Sequence, residues 1–352
     1  LDFTYYKTDS RNQILKLATT AASGYTSQVR NAGHIRNRGY EIQLGAVPIQ
    51  TSKGFRWNLD LNYGANSSKV VKLDDEGLIT SYRLYSSGIQ ILASVGEAYG
   101  TLFGTSYVRD ANGNVVVDAN GLPKISTTNK TLGKFTPDWT GGISNTFSYR
   151  SLSLSFLIDA SVGGSIFSNT NKTGKYTGVL ANTLSGRDAE HGGLWYYTAA
   201  MGNNVRLPES PSYSVSSDGL YYAQVNGQST RVYQDGIMVE GVTESGSKNE
   251  EVVSAEKYYH RIYSIAEANV YDASYVKLRE VALSYRLPRL WTQKLHLQEA
   301  SVTLTGRNLW TIYKSVPNID PESALTTGNA QGVEAYSLPT TRSFGVNLSV
   351  KF

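Results

Sequence analysis

An all-β fold is predicted from the sequence: a transmembrane antiparallel β-barrel wall with long loops at one end of its strands and short turns at the other. Three observations predict it. The last ten residues alternate, the same alternation recurs upstream, and long and short connections succeed each other in turn. In the final segment Phe344, Val346, Leu348, Val350 and Phe352 share one face, while Ser343, Gly345, Asn347, Ser349 and Lys351 share the other. Successive side chains of an extended strand point to opposite sides, so the strand has one apolar and one polar face. An aromatic residue ending such a strand is a common feature of outer-membrane barrels.

Upstream strands follow in order. Tyr40, Ile42, Leu44 and Ala46 oppose Gly39, Glu41, Gln43 and Gly45. Phe55, Trp57, Leu59, Leu61, Tyr63 and Ala65 alternate with Arg56, Asn58, Asp60, Asn62, Gly64 and Asn66. Trp139, Ile143, Phe147 and Tyr149 form a further face, and Leu152, Leu154, Phe156, Ile158, Ala160 and Val162 another, broken only by Leu157. Val281, Leu283, Tyr285 and Leu287 share a face, but Val276 and Leu278 are out of phase with them. That slip predicts a β-bulge near Arg279-Glu280. Charged and amide residues recur on the polar faces, which is costly in a dry sandwich core and natural against a watery lumen.

The connections are of two kinds. Those at 47–54, 149–152 and 288–297 are short, whereas those at about 67–138, 163–266 and 311–341 are long and polar. Outer-membrane barrels have short periplasmic turns and long extracellular loops. Roughly eight spanning strands result, of the ~9–11 residues that such strands need. A further pair is expected from Tyr99 to Val108 and from Val115 to Ile125, around the hairpin dipeptide Asn112-Gly113.

Composition agrees. The 352 residues carry a formal charge of +4, with Tyr 25, Gly 33, Met 2 and no Cys. Mean hydropathy is −0.31, and no stretch approaches the ~20 apolar residues of a spanning helix. The absence of Cys excludes disulfide frameworks and thiolate metal sites. The charge is too mild and dispersed to argue for nucleic acid. The sequence opens on Leu1, with neither Met nor a secretory signal, so the true start is expected elsewhere.

Motifs sharpen the reading. Asn31-Ala32-Gly33-His34-Ile35-Arg36-Asn37-Arg38-Gly39-Tyr40-Glu41-Ile42 resembles the "NxGxIxNxGxE" segment of SusC/RagA-type TonB-dependent transporters. Trp57-Asn58-Leu59-Asp60-Leu61-Asn62 is similar to the strand that follows it there. Gly133-Lys134-Phe135-Thr136-Pro137-Asp138-Trp139 resembles the family's "G…P.w" strand entry. The segment from Asp272 to Pro288, with Tyr275-Val276-Lys277-Leu278-Arg279-Glu280-Val281 at its centre, resembles the "FvKLReVsLsYtlP" strand. Gly306-Arg307-Asn308-Leu309 resembles "GRNL", Ile319-Asp320-Pro321-Glu322 the "DPE" loop, and Pro339-Thr340-Thr341-Arg342-Ser343-Phe344 the "P..rsf" lead-in. These landmarks follow the family's order across the whole sequence.

The resemblance implies residues 1–352 to be the C-terminal segment of a roughly 22-stranded transporter barrel, without its N-terminal and plug domains. It further implies uptake of oligosaccharides or peptides through the outer membrane of a Gram-negative, Bacteroidota-like cell. A SusD-like lipoprotein would lid the barrel and TonB would drive it. Lipid bilayer and lipopolysaccharide would surround it, and the final strand would close against a strand outside this sequence. Phe352 would serve as the C-terminal assembly signal. Two other readings stay open: a passive porin or structural outer-membrane barrel, and a soluble β-rich glycan-binding or adhesin module.

Catalysis finds little support. His34, His191, His260 and His296 are scattered without ligand spacing. Ser165 follows two glycines without a nucleophile elbow. The carboxylate runs Asp74-Asp75-Glu76 and Glu250-Glu251 read as solvated turns. No cofactor is expected. Asp110-Ala111-Asn112-Gly113-Asn114 imitates half of a calcium loop, but Val115 stands where Gly is needed and Gly121 where the bidentate acid belongs. Paired Asn-Gly turns, repeated at Asp118-Ala119-Asn120-Gly121, are the favoured account, and calcium on that outer loop is the minor one. Substrate or partner contact is assigned to Trp195, Tyr196, Tyr197, Tyr221, Tyr222, Tyr258 and Tyr259, since aromatic faces stack on sugar rings. For any one of them, packing within the loop or contact with the lid is the favoured reading over contact with substrate. Arg187-Asp188 and Arg261 are similarly ambiguous. Trp57, Tyr149, Tyr285 and Trp291 near the short turns, and Trp139 at the other end, are expected in interfacial girdles.

Overall fold

The computed structural model describes residues 1–18, 27–74, 76–294 and 296–352, with side chains described outside 15–32. Among them an eight-stranded antiparallel sheet forms a wall. Its strands are β1 (Asp2–Ala18), β2 (Ser27–Gln50), β3 (Phe55–Lys72), β4 (Trp139–Tyr149), β5 (Leu152–Val162), β6 (Tyr275–Arg286), β7 (Glu299–Lys314) and β8 (Ser343–Lys351). Each pairs with the next in the chain, and β1 and β8 are the two edges. This meander matches the expected count and direction of strands. The spans differ from expectation: β2 has 24 residues and β3 has 18, so β3 runs on to Lys72 through the start of the expected loop. At ~3.4 Å per residue β2 is roughly 80 Å long and projects well past a bilayer's hydrocarbon.

Register explains the two faces. Trp57, Phe147, Leu154, Leu283, Leu304 and Val346 are successive partners across six strands. A neighbouring row runs Phe55, Tyr149, Leu152, Tyr285, Val302 and Leu348. Because side-chain direction has period two, such rows place every apolar set on one side of the sheet. The result is an exposed apolar band, in which Phe344 is 80% and Val346 72% accessible. A soluble sheet would cover such a band against a second layer. Aromatic contacts tie the rows, with Trp57 stacked on Phe147 at 5.6 Å and Tyr63 against Trp139 at 5.6 Å.

The band contains one polar interruption. Asn145 falls between Leu59 and Phe156 and is buried, and its Oδ1 accepts from the Trp57 indole N–H at 3.0 Å. The indole donor thereby satisfies an amide oxygen that hydrocarbon could not.

The expected bulge is present. Pairing of β6 with both neighbours shifts between Leu278 and Glu280, so Arg279 is the extra residue. The slip lets Lys277, Arg279 and Glu280 all engage polar-face partners while Val281, Leu283 and Tyr285 stay in the apolar rows. Motif glycines have equally local reasons. Gly33 takes φ +91 opposite Asn12 at φ +57, where β1–β2 pairing skips a residue. A Cβ on Gly39 would lie 2.6 Å from the Ala65 carbonyl oxygen and collide with the Tyr6 ring that covers it.

The connections at the short end are 51–54, 150–151 and 287–298, the last carrying a short helix, Arg289–Lys294. The other three, 73–138, 163–274 and 315–342, fold together beyond the opposite end. Residues 81–87, 89–94, 99–104 and 130–134 make a four-stranded sheet, so Tyr99–Gly104 serves this sheet and not the wall. The expected pair around Asn112-Gly113 is a small hairpin held by bridges Tyr107–Ile125 and Arg109–Val115. Helices α1 (Asn169–Thr177) and α2 (Ala255–Tyr263) begin at Ser168 and Ser254, whose hydroxyls accept from Asn171 N and Lys257 N. Ile89, Ile91, Leu102, Phe167, Ala266 and Val333 form a buried core drawn from all three connections.

Candidate functional site

Two places combine polar groups with open volume: the polar face of the wall near the Arg279 bulge, and the folded connections above it.

At the bulge, the Tyr275–Glu280 and Asp320–Glu322 motifs meet. Lys277 is 4% exposed, and its ammonium donates to Asp320 Oδ1 and Glu322 Oε2, each at 2.6 Å. Arg279 grips Asp159 through Nε at 2.6 Å and Nη2 at 2.9 Å, and also donates to both oxygens of Glu322. The Tyr275 hydroxyl donates to Glu322 at 2.9 Å, and Thr340 donates to Asp320. Burial opposes ionisation of Asp320 and Glu322. The hydrogen bonds from Lys277 and Thr340 on the first, and from Arg279 and Lys277 on the second, outweigh it and hold both carboxyls below their ordinary range. A cavity of about 410 Å³ adjoins this network, lined by Asn62, Thr140, Asp159, Tyr275 and Arg279 among others.

The connections are pinned to one another by further charges. Arg109 pairs with Glu267 at 2.8 Å, and Arg261 pairs with Asp118 at 3.0 Å while also donating to the Pro123 carbonyl. Arg261 thus holds the hairpin to α2. Asp110 spends its carboxylate inside its own turn, accepting from Asn112 N, Asn114 N and Asn114 Nδ2. Among the described residues no group of three His, Asp or Glu side chains is placed to hold a metal ion.

The seven aromatic candidates divide. Trp195 and Tyr196 are buried: Trp195 stacks on Tyr213 at 5.1 Å with Tyr221 edge-on at 5.8 Å, and Tyr196 stacks on Tyr233 while donating to Asp235. Tyr197 and Tyr221 pack at the same cluster, and Tyr222 lies on the neighbouring strand pair. Trp195, Tyr196, Tyr197 and Tyr221 belong to the packing of the 194–238 sheet. Tyr258 and Tyr259 are different. They contact each other edge-on at 5.2 Å and line a cavity of about 710 Å³ with Tyr107, Lys175, Ile237 and Met238. A second cavity of about 320 Å³ shares Lys175 and Tyr259 and adds Arg187, Asp235 and His260. Lys175 carries no signal in the sequence, being one lysine in a polar stretch.

The histidines stay apart. His34 contacts Asp9 at 2.5 Å, His191 contacts Asp188 at 2.8 Å, and His260 stacks on Tyr176 at 4.1 Å. Asp74 caps a turn at Leu78 and Ile79, whereas Asp75 lies outside the described residues. Tyr149, Tyr285 and Trp291 are exposed at the short-turn end, and Phe352 is 82% exposed beyond β8.

No family model matches the chain. Over its whole length the chain is 26% identical to TonB-dependent receptor P3 of Formosa agariphila, covering 32% of that protein. It is 24% identical to TonB-dependent receptor P26 of the same organism, again over its whole length and 32% of the relative. The chain therefore spans about a third of the length of these curated relatives. Its fold is similar to that of the RagAB peptide transporter, with a TM-score of 0.60 and 19% identity over 99% of this chain and 33% of that one. It is also similar to the RagAB peptide importer in the closed-closed state, with a TM-score of 0.59 and 18% identity over the same shares. The resemblance read from the motifs is borne out, and these relatives are receptors and transporters rather than enzymes.

Proposed function

We propose that this chain forms the C-terminal part of the barrel wall of a TonB-dependent importer in a Gram-negative outer membrane, taking up oligosaccharides or peptides with a SusD-like surface lipoprotein. One observation carries the reading: the register that runs an apolar band, broken only at the Trp57-bonded Asn145, along one face of the wall and charged pairs along the other. The apolar band then meets lipid and lipopolysaccharide, and the polar face lines an aqueous lumen. Three folded connections stand at one end of the strands, where a surface lipoprotein and incoming cargo would meet them. Similarity to TonB-dependent receptors supports energised import over a passive pore.

The test is uptake by cells producing the full-length transporter, with and without an intact tonB gene, using fluorescent peptide and oligosaccharide pools. Accumulation is expected to vanish without TonB. Equal accumulation in both strains would overturn the reading in favour of a passive porin. Mild detergent extraction is expected to bring a lipoprotein along, and purification of the barrel alone would remove that partner.

A further inference from the structure

Lys175 is a buried cation with no carboxylate partner among the described side chains. It is 9% exposed, and its ammonium donates to two neutral oxygens, the Ala268 carbonyl at 2.8 Å and Asn269 Oδ1 at 3.4 Å. An ammonium has three donors, so one is left without a described protein acceptor. Burial alone pulls this ammonium down to about 8, with no carboxylate contributing, and it is still mostly charged at neutral pH. A buried cation without a counter-charge is unfavourable, and an incoming anion relieves it. The Tyr271 ring lies 5.3 Å from the same ammonium, and its hydroxyl is buried without a hydrogen-bond partner.

The space that Lys175 lines is mixed. Ile237, Met238 and Ile262 supply aliphatic wall, Tyr258 and Tyr259 supply rings, and exposed Glu240 supplies a negative charge. Asn182 and Ser185 supply polar groups elsewhere in the lining, but Ile237, Met238 and Ile262 offer no partner to a sugar hydroxyl. An apolar side chain flanked by one carboxylate and one ammonium fits it, the carboxylate at Lys175 and the ammonium toward Glu240. We propose that this cavity is a cargo subsite for short peptides, in which Lys175 binds a carboxylate and Ile237, Met238 and Ile262 receive an apolar side chain. The proposal rests on the importer reading and names its cargo class.

Calorimetric titration of the full-length transporter in detergent tests it, with trileucine, trileucine amide, N-acetyl-trileucine and trigalacturonate as probes. Trileucine is expected to bind about tenfold or more tighter than its amide, as loss of a charge-assisted hydrogen bond implies. Lys175→Met should abolish that ratio and Lys175→Arg should keep it, while Glu240→Gln should abolish only the preference over the N-acetyl form. Equal binding of acid and amide by the unmodified protein would overturn the proposal, as would no binding of trileucine. Tighter binding of trigalacturonate would assign the site to acidic glycans instead. The acid-to-amide ratio needs no variant, so misfolding of Lys175→Met leaves the test intact. Binding is also read without TonB, so failure here is distinct from failure of the importer reading.

Discussion

Lys277 of β6 and Asp320 of the connection after β7 meet at 2.6 Å, with side chains only 5% and 7% exposed. Glu322 and Arg279 extend the contact, so a loop between two strands is tied to the polar face of a third. Two landmarks more than forty residues apart in the chain are therefore halves of one latch.

Removing one side of a buried pair costs about 3–5 kcal/mol when it leaves the other charge alone; Glu322 still holds Lys277 here, so the loss falls below that range. Asp320→Asn should therefore free the 315–342 connection. Limited proteolysis of the folded protein should cut there at least tenfold faster than in the unmodified chain. Unchanged cleavage would show the latch to be dispensable.

Acid should open the same latch. Asp320 and Glu322 are held below their ordinary carboxyl values in the folded state, so each adds stability that is complete above the unfolded values of ~3.9 and ~4.3. That stability is lost as pH falls through the lower folded values. Cleavage of the connection by an acid-tolerant protease should stay slow at mild acidity and rise only below the ordinary carboxyl range. A rise centred near neutrality would contradict this assignment.

Trp57 and Asn145 form a hydrogen bond on the apolar face. Trp57→Phe orphans the amide, which costs about 1–3 kcal/mol, whereas Trp57→Phe with Asn145→Leu should recover most of that loss. Urea unfolding in detergent of the unmodified protein, Trp57→Phe, Asn145→Leu and the double variant measures the coupling. Additive losses would mean that the bond contributes nothing.

Gly39 leaves room for the Tyr6 ring, whose hydroxyl donates to Asn66 Oδ1 at 3.3 Å. Gly39→Val would press on the ring and on the Ala65 carbonyl, for a loss of about 1–3 kcal/mol typical of overpacking. Adding Tyr6→Ala relieves the ring but not the carbonyl, so rescue should be partial. Full stability of Gly39→Val would refute the close approach.

Much of this was legible in advance. Alternation marked the wall from Gly39 to Ala65, from Trp139 to Val162, and from Val276 to Leu287. The phase slip at Arg279 marked its bulge, because period-two order leaves no other way to keep both flanks in register. β1 was not legible: after Phe3 and Tyr5 it carries Lys7, Asp9 and Arg11, and its strand character comes from pairing with β2. Tyr99–Gly104 looked like wall and went to another sheet, since a short alternating run does not specify its partner. The clustered aromatic residues at 195–197 and 221 suit packing by composition, but only the fold shows which rings they meet.

By itself the sequence determined which side chains form the apolar face of the wall and which the polar face, where its short turns lie, and which family's landmarks it resembles. These depend on local periodicity and short-range steric rules. Only the tertiary structure decided that Lys277 meets Asp320, that Arg261 pins the Asp118 hairpin, and that Lys175 sits buried beside open space. Those contacts join segments tens to more than a hundred residues apart, and no local pattern encodes which distant oxygen a buried cation will reach.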